Sequence, residues 1–344
     1  MSPRPVPEQL LPWACGALGA EAAAGSLRLV AGDASNRRYF RLALAGGDYI
    51  LAEAPPATEN NPAFLQVREL LAAAGVRVPA LYAADLDRGY LLLEDLGDRL
   101  LLPALDCRTS DQYYGRALDI LQRMASLDSS ALPLPAYDAT LLEEELGRFP
   151  AWFAQSLLDY TPAADEERLF AALWRKLVDS ALEQPTVLVH RDFHSRNLML
   201  LEDGALAVID FQDAVVGPVT YDPVSLLRDC YIRWPVSRVR EWALGYRDRL
   251  VAAGLLHAVT DEQFLRWFDW MGLQRHIKVL GTFARLFLRD GKPQYLDDLP
   301  LVLAYVEEVL DQYAGSEAVF AEFRALLRER LSPRIAAQAW SRAS

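Results

Sequence analysis

The chain has 344 residues, with 35 Lys and Arg against 47 Asp and Glu and a net charge of −12. That length holds one large domain or two lobes with substantial cores. The acidic balance, with no basic stripe, argues against nucleic-acid binding, and no stretch offers the roughly 18 uncharged apolar residues of a membrane span. Cys15, Cys107 and Cys230 are far apart and odd in number, with no Cys/His ligand spacing. Neither a disulfide framework nor a structural zinc is expected, and the expected compartment is the reducing cytoplasm. Lysine occurs only at Lys176, Lys278 and Lys292, so nearly all positive charge is arginine.

The N-terminal apolar run is short, contains Pro12 and lies between Glu8 and Glu21. It reads as an amphipathic helix over 8–24 ended by Gly25, rather than as a signal peptide. Leu27 to Ala31 reads as a strand. Gly32-Asp33-Ala34-Ser35-Asn36 is a small polar turn, and the alternation from Arg37 to Leu42 is again strand-like. Gly46-Gly47-Asp48 turns the chain into Tyr49-Ile50-Leu51-Ala52. Backbone N–H groups in a strand–turn–strand of this kind can cradle phosphate oxygens, and it is equally an ordinary hairpin loop. Its position, ahead of the catalytic stretch by the length of a small lobe, favours the first reading. Asn61-Pro62 opens a helix over 63–74 that stops at Gly75. Strands are expected at 78–84 and 90–94. Beyond Leu96 the pattern turns almost wholly helical, with helices at 110–126, 140–160 and 165–184. The expected division is a β-rich lobe over 1–96 and a helical lobe over 97–344.

The stretch Val187 to Asp213, VLVHRDFHSRNLMLLEDGALAVIDFQD, holds the chemistry. Three short apolar runs read as strands, with Asp192, Asn197 and Asp210 at their ends. Phosphoryl transfer needs such a set: a carboxylate that accepts a hydroxyl proton, and an amide and a second carboxylate for magnesium. H-R-D-x-x-x-x-N is the catalytic-loop pattern of the kinase fold, and Asp210-Phe211 stands where D-F-G would, with Gln212 replacing the glycine. A kinase-like hinge then falls at Leu96, with main-chain groups near Glu94 and Leu96 meeting adenine. Glu94 and Asp95 read equally as solvated loop acids. Asp222-Pro223 either caps the next helix or braces the catalytic loop. Further helices are expected at 224–233, 236–253, 261–289, 301–313 and 318–330. In the fourth-last of these elements' successor, 261–289, Trp267, Phe268 and Trp270 with Gln274, Arg275 and His276 suit a sugar, or simply pack a core.

GDASNRRYFRL, EAPP, HRDFHSRNL, DFQDAVVGPVTYDPVSLLRDCY and MGLQRHIKVLGTFARL together resemble the aminoglycoside phosphotransferase/choline kinase group. Within it they look most like the bacterial cell-wall amino-sugar kinases. The resemblance runs from about Leu27 to Leu299. It implies an α+β, two-lobed protein-kinase-like fold with ATP and Mg²⁺ as cofactors. It also implies phosphorylation of the anomeric hydroxyl of N-acetylmuramate and N-acetylglucosamine in peptidoglycan recycling, by a monomer with a small-molecule partner. Carried over by residue, Asp192 matches the base, Asn197 and Asp210 the magnesium ligands, and His190 and Asp222 the support of the loop. Ser35 and Asn36 fall in the phosphate-covering loop. His194, Arg196, Arg275 and His276 are candidate sugar contacts, Arg196 facing a lactyl carboxylate or pairing with Asp222 or Asp213. The strand lysine of the family is missing. Arg38 and Arg41 are the candidates to replace it, with Arg37 pointing outward and Glu69 a possible ion-pair partner. An aminoglycoside, choline or homoserine kinase and an inactive kinase-like binding module are the alternatives.

Overall fold

The computed structural model describes residues 5–20, 27–31, 36–44, 46–257 and 259–342. The chain opens with helix α1 (Leu10–Leu18), strands β1 (Leu27–Ala31), β2 (Arg38–Leu44) and β3 (Gly47–Glu53), helix α2 (Asn61–Ala73), and strands β4 (Leu81–Asp85) and β5 (Tyr90–Glu94). Helices α3 (Ser110–Ala125) and α4 (Ala139–Leu146), a π-helical run Phe149–Leu157 and helix α5 (Ala164–Leu182) follow. Four short strands come next: β6 (Thr186–Val189), β7 (Leu198–Leu200), β8 (Leu206–Val208) and β9 (Val215–Pro218). The remainder is helical, with α6 (Tyr221–Leu227), α7 (Val236–Ala252), α8 (Asp261–Leu288), α9 (Leu299–Tyr313) and α10 (Ala318–Leu326). By its internal contacts the chain divides into two compact units, one joining Met1–Pro103 to Arg196–Asp213, the other joining Ala104–Ser195 to Ala214–Ser344.

The first unit is built on an antiparallel sheet in the order β1-β2-β3-β5-β4. Period-2 alternation on β2 sends Phe40 and Leu42 into a core with Leu51, Tyr90 and Leu92, closed by Leu10 and Ala14 of α1. Each of the Phe and Leu side chains contributes about 1.5–3 kcal/mol when buried. Helix α1 is shorter than the sequence suggests. It stops at Gly19, whose φ of 63° caps it in the left-handed region, and 21–26 lie outside the described residues. Gly89, at φ 71°, turns β4 into β5 hard against the Ala54 carbonyl, whose oxygen would lie 2.0 Å from any Cβ there.

The β7–β8 hairpin belongs to this unit by its hydrogen bonds. Leu101 N–H donates to Leu198 O (2.8 Å), Leu200 N–H to Arg99 O (2.7 Å) and Val208 N–H to Arg77 O (2.8 Å). Phe211, just past the hairpin, stacks on Phe64 of α2 at 4.9 Å.

In the second unit α8 packs against α5, α6, α9 and the π-helical run. It is buried nearly all round, so its 28 residues show no clean polar face. A buried ion pair, Arg228 to Asp269 at 2.7 Å, ties the end of α6 to α8. The helix expected over 224–233 is the shorter α6, because the chain leaves helical geometry at Arg228. The helix expected over 140–160 breaks into α4 and the π-helical run. β6 pairs with β9, from Thr186 opposite Pro218 to Val189 opposite Val215. Among the described residues no helix is long and apolar enough to cross a membrane.

Candidate active site

The loop after β6 carries Asp192, and it is held from several sides within the second unit. Asp222, in the first turn of α6, accepts the His190 N–H at 2.6 Å and the Arg191 N–H at 3.0 Å. It therefore braces the loop, while the α6 N-cap position is taken by Thr220. Burial pushes the Asp222 carboxyl up to about 6, against the opposing effects of His190 and the two N–H groups. His190 is fully buried, and its Nδ1 accepts from the Asp192 N–H at 3.3 Å. Asp229 is a second brace, accepting the Ser195 N–H at 2.9 Å and the Ser195 hydroxyl. Sequence reasoning missed Asp229, although the string YDPVSLLRD sets it seven residues after Asp222. Between these braces Arg191 sits at φ 76°, a left-handed conformation that costs a β-substituted residue about 1–3 kcal/mol.

Burial alone would raise the Asp192 carboxyl, but the charges of Lys278, His194, Arg275 and Arg191 outweigh it and hold the group down at about 2. Lys278 comes from α8, where its ammonium meets Glu145 at 3.0 Å and the Tyr221 hydroxyl at 2.9 Å. Glu145 also pairs with Arg191 and accepts from Tyr137. Lys278, Glu145, Tyr137 and Tyr221 were not singled out from the sequence, yet they form the electrostatic surroundings of the candidate base.

Other expected contacts separate. Arg275 is buried, with Nη1 on Cys230 Sγ at 3.4 Å, and its charge acts on Asp192. His276, one residue on, turns into the core. It stacks on Tyr305 at 4.8 Å and sets Nε2 2.9 Å from the Arg228 carbonyl, and burial pushes it down to about 3. That surrounding is packing, not a sugar surface. Trp267 and Trp270 are likewise buried, Trp267 donating to Glu183 and Trp270 lying against Tyr313 and Phe320. His194 is half-buried with its ring edge-on to Tyr231 at 5.3 Å.

The first unit carries the other half of the motif. Asp210 is exposed at φ 64°, and the Asn197 amide donates to its Oδ2 at 3.4 Å. Gln212 Nε2 donates to Asp210 Oδ1 at 3.1 Å, so the residue in place of the glycine orients the carboxylate. Among the described residues no three His, Cys, Asp or Glu side chains cluster as a metal cage. An exposed carboxylate beside an amide fits Mg²⁺ all the same, because that ion keeps several waters and takes few protein ligands besides phosphate oxygens. Arg196 is exposed.

The arginines of β2 depart from expectation. Arg38 pairs with Glu53, Nε to Oε2 at 2.6 Å, and donates to the Pro5 carbonyl. Arg41 is held by Asp95, Nη2 to Oδ1 at 2.8 Å, and by Asp98 at 2.8 Å. Arg37, expected to face outward, is 2 % exposed. It lies over the Phe64 ring at 5.0 Å, reaches Asn61 Oδ1 at 3.4 Å and pairs with Glu59 at 3.7 Å. Tyr39, pushed up by burial, feels both Arg37 and Asp210. Glu69 is exposed on α2. Ser35 lies outside the described residues, and Asn36 donates its N–H to Glu59 Oε1 at 3.0 Å. Glu94 folds back on Arg77 and accepts the Ala80 N–H at 3.0 Å; Leu96 is half-buried.

The model of the Phosphotransferase enzyme family matches residues 26–268. The chain is 43 % identical over 309 residues to the N-acetylmuramate/N-acetylglucosamine kinase of Pseudomonas putida, covering 90 % of this chain and 89 % of that protein. It is 44 % identical over 281 residues to the protein of the same name from Pseudomonas aeruginosa, covering 80 % and 81 %. Among solved structures it is similar to the choline kinase LicA from Streptococcus pneumoniae, with a TM-score of 0.61 at 17 % identity over 90 % of this chain and 99 % of that one. The fold is the expected α+β kinase-like fold, a small antiparallel sheet unit and a mainly helical one. By the span of the family match and by its relatives, this chain belongs to the phosphotransferase enzyme family.

Proposed function

We propose that the protein is an ATP-dependent kinase that phosphorylates the anomeric hydroxyl of N-acetylmuramate and N-acetylglucosamine, in the cytoplasmic recycling of peptidoglycan sugars. The acceptor is taken from the relatives at 43 % and 44 % identity. The observation that carries the chemistry is the Asp192 carboxylate, held ionised on a loop that two aspartates brace. Asp192 orients the C1 hydroxyl and accepts its proton. The C1 oxygen forms a bond to the γ-phosphorus of ATP, the bond from that phosphorus to the β–γ bridging oxygen breaks, and ADP leaves. Asn197 and Asp210 would hold Mg²⁺, which neutralises charge on the phosphates. Most of the acceleration comes from alignment and charge stabilisation, because a loose phosphoryl transition state asks little covalent chemistry of the protein. His190, Asp222 and Asp229 keep the loop in its strained form, and main-chain groups near Glu94 and Leu96 take the adenine.

The test offers N-acetylmuramate, N-acetylglucosamine, kanamycin and choline in parallel, with ATP. Turnover of the amino sugars to an acid-labile phosphate is expected, reduced about 10²- to 10⁴-fold in Asp192→Asn. Turnover of kanamycin or choline alone would refute the acceptor. Full activity in Asp192→Asn would refute the base.

A further inference from the structure

The two acceptors differ in charge. N-acetylmuramate carries a carboxylate on its lactyl ether and N-acetylglucosamine does not. The helical unit holds a feature that bears on this difference. The start of the π-helical run crosses α8 at Gly281, where a Cβ would lie 2.3 Å from the carbonyl carbon of Arg148 and 2.5 Å from its oxygen. Only glycine permits this approach, and the approach lays Arg148 along α8. Its Nη1 reaches Thr282 Oγ1 at 3.5 Å.

Thr282 lies one turn before Arg285 on α8, so Arg148 comes beside Arg285, and its charge acts on that guanidinium. Arg285 is held below the ordinary arginine range by desolvation and by the charges of Arg148 and Arg289. It makes no ion pair among the described residues, and its Nε is buried with no hydrogen-bond partner. Glu145 is the carboxylate at hand, but it already faces Lys278 at 3.0 Å and Arg191, and lies 3.9 Å from Arg148. Asp290 is taken by Arg289 at 2.8 Å, and Glu144 is exposed. Two guanidinium groups at close quarters repel, and an anion between them removes the cost. Arg285 lies seven residues beyond Lys278, on the same face of α8 and about 10 Å further along its axis. Lys278 is the cation whose charge acts most on Asp192. Arg148 also lies 3.9 Å from Glu145, which pairs with Arg191 next to Asp192, so the arginine pair borders the surroundings of the candidate base.

We infer that Arg148 and Arg285, with the Thr282 hydroxyl, form a subsite for the carboxylate of the acceptor sugar. This rests on the amino-sugar kinase reading and adds to it the element that favours the acidic sugar over the neutral one. A guanidinium fork matches a carboxylate with two parallel hydrogen bonds, stronger than those between neutral groups. Arg148 is 19 % exposed and Arg285 half-buried, so the pair is reachable from solvent.

The experiment compares kcat/KM for the two sugars in Arg285→Gln and, separately, in Arg148→Gln. The ratio of N-acetylmuramate to N-acetylglucosamine is expected to fall about tenfold or more in each, through KM for the acid. Arg285→Lys, which keeps the charge and loses the fork, is expected to fall between. The unmutated enzyme supplies a second measurement: esterifying the lactyl carboxylate should lower kcat/KM by a similar factor. A ratio unmoved in both variants, a proportional loss for both sugars, or an ester used as well as the acid would each overturn the subsite. An unmutated enzyme that phosphorylates neither sugar refutes the acceptor reading itself, and the subsite with it.

Discussion

Asp192 keeps its charge because cations oppose its burial, and Lys278 contributes most among them. A carboxyl depressed to about 2 stays ionised across the whole working range, and the stability it adds is present above its ordinary value of 3.8 and lost as pH falls towards 2. Lys278→Met removes the largest opposing charge, so the Asp192 value must rise. The acid limb of kcat/KM against pH should move upward in that variant, and a limb that stays in place would assign it to another group. At this scale the sequence spoke unevenly. Asp192, Asn197 and Asp210 stood out as candidates because their spacing matches the catalytic-loop pattern of the kinase fold. Arg37 was not, because the alternation read from Arg37 to Leu42 sets it with Tyr39 and Arg41, whereas the strand itself begins only at Arg38. Lys278 was not, because nothing local says that a helix some ninety positions downstream returns to the loop.

Among elements, the sheet was legible because β2 follows period two, burying Phe40 and Leu42, and because glycine turns precede β3 and β5, which read as short apolar runs. Helix α8 shows the limit. Its extent was legible, 261–289 against the observed Asp261–Leu288. Its faces were not, because a helix buried nearly all round has no polar stripe to mark orientation. That is why Arg275 and His276 looked alike in sequence while one bears on Asp192 and the other packs on Tyr305. β9 was illegible for a different reason: four residues ending in Gly217-Pro218 carry no period. The turn between β4 and β5 gives a direct test. Gly89→Ala puts a Cβ 2.0 Å from the Ala54 oxygen at a φ of 71°. It should cost about 3 kcal/mol in chemical denaturation, and a loss under about 0.5 kcal/mol would show that the turn relaxes freely.

For the whole molecule, the important fact is that the first unit is not one continuous stretch of chain. Its sheet comes from residues before Pro103, while the hairpin carrying Asn197 and Asp210 arrives from 196–213. The hairpin satisfies backbone groups of Arg77, Arg99 and Leu101 that would otherwise stand unpaired. A fragment 1–103 should therefore show no cooperative thermal transition, and appending 196–213 through a Gly/Ser linker should restore one. A sharp transition in the bare fragment would show that the sheet is self-sufficient. The left-handed backbone at Arg191 has a consequence for the molecule as a whole. Arg191, at φ 76°, works against the folded state, whereas glycine would occupy that place without strain. In a randomised library, sorting for soluble, heat-resistant protein should enrich glycine and asparagine at 191. Sorting the same library for growth that depends on the enzyme should remove them, because the ion pair to Glu145 goes with the side chain. The two sorts would rank the same substitutions in opposite order, and position 191 would mark where selection for activity has outweighed selection for a robust fold.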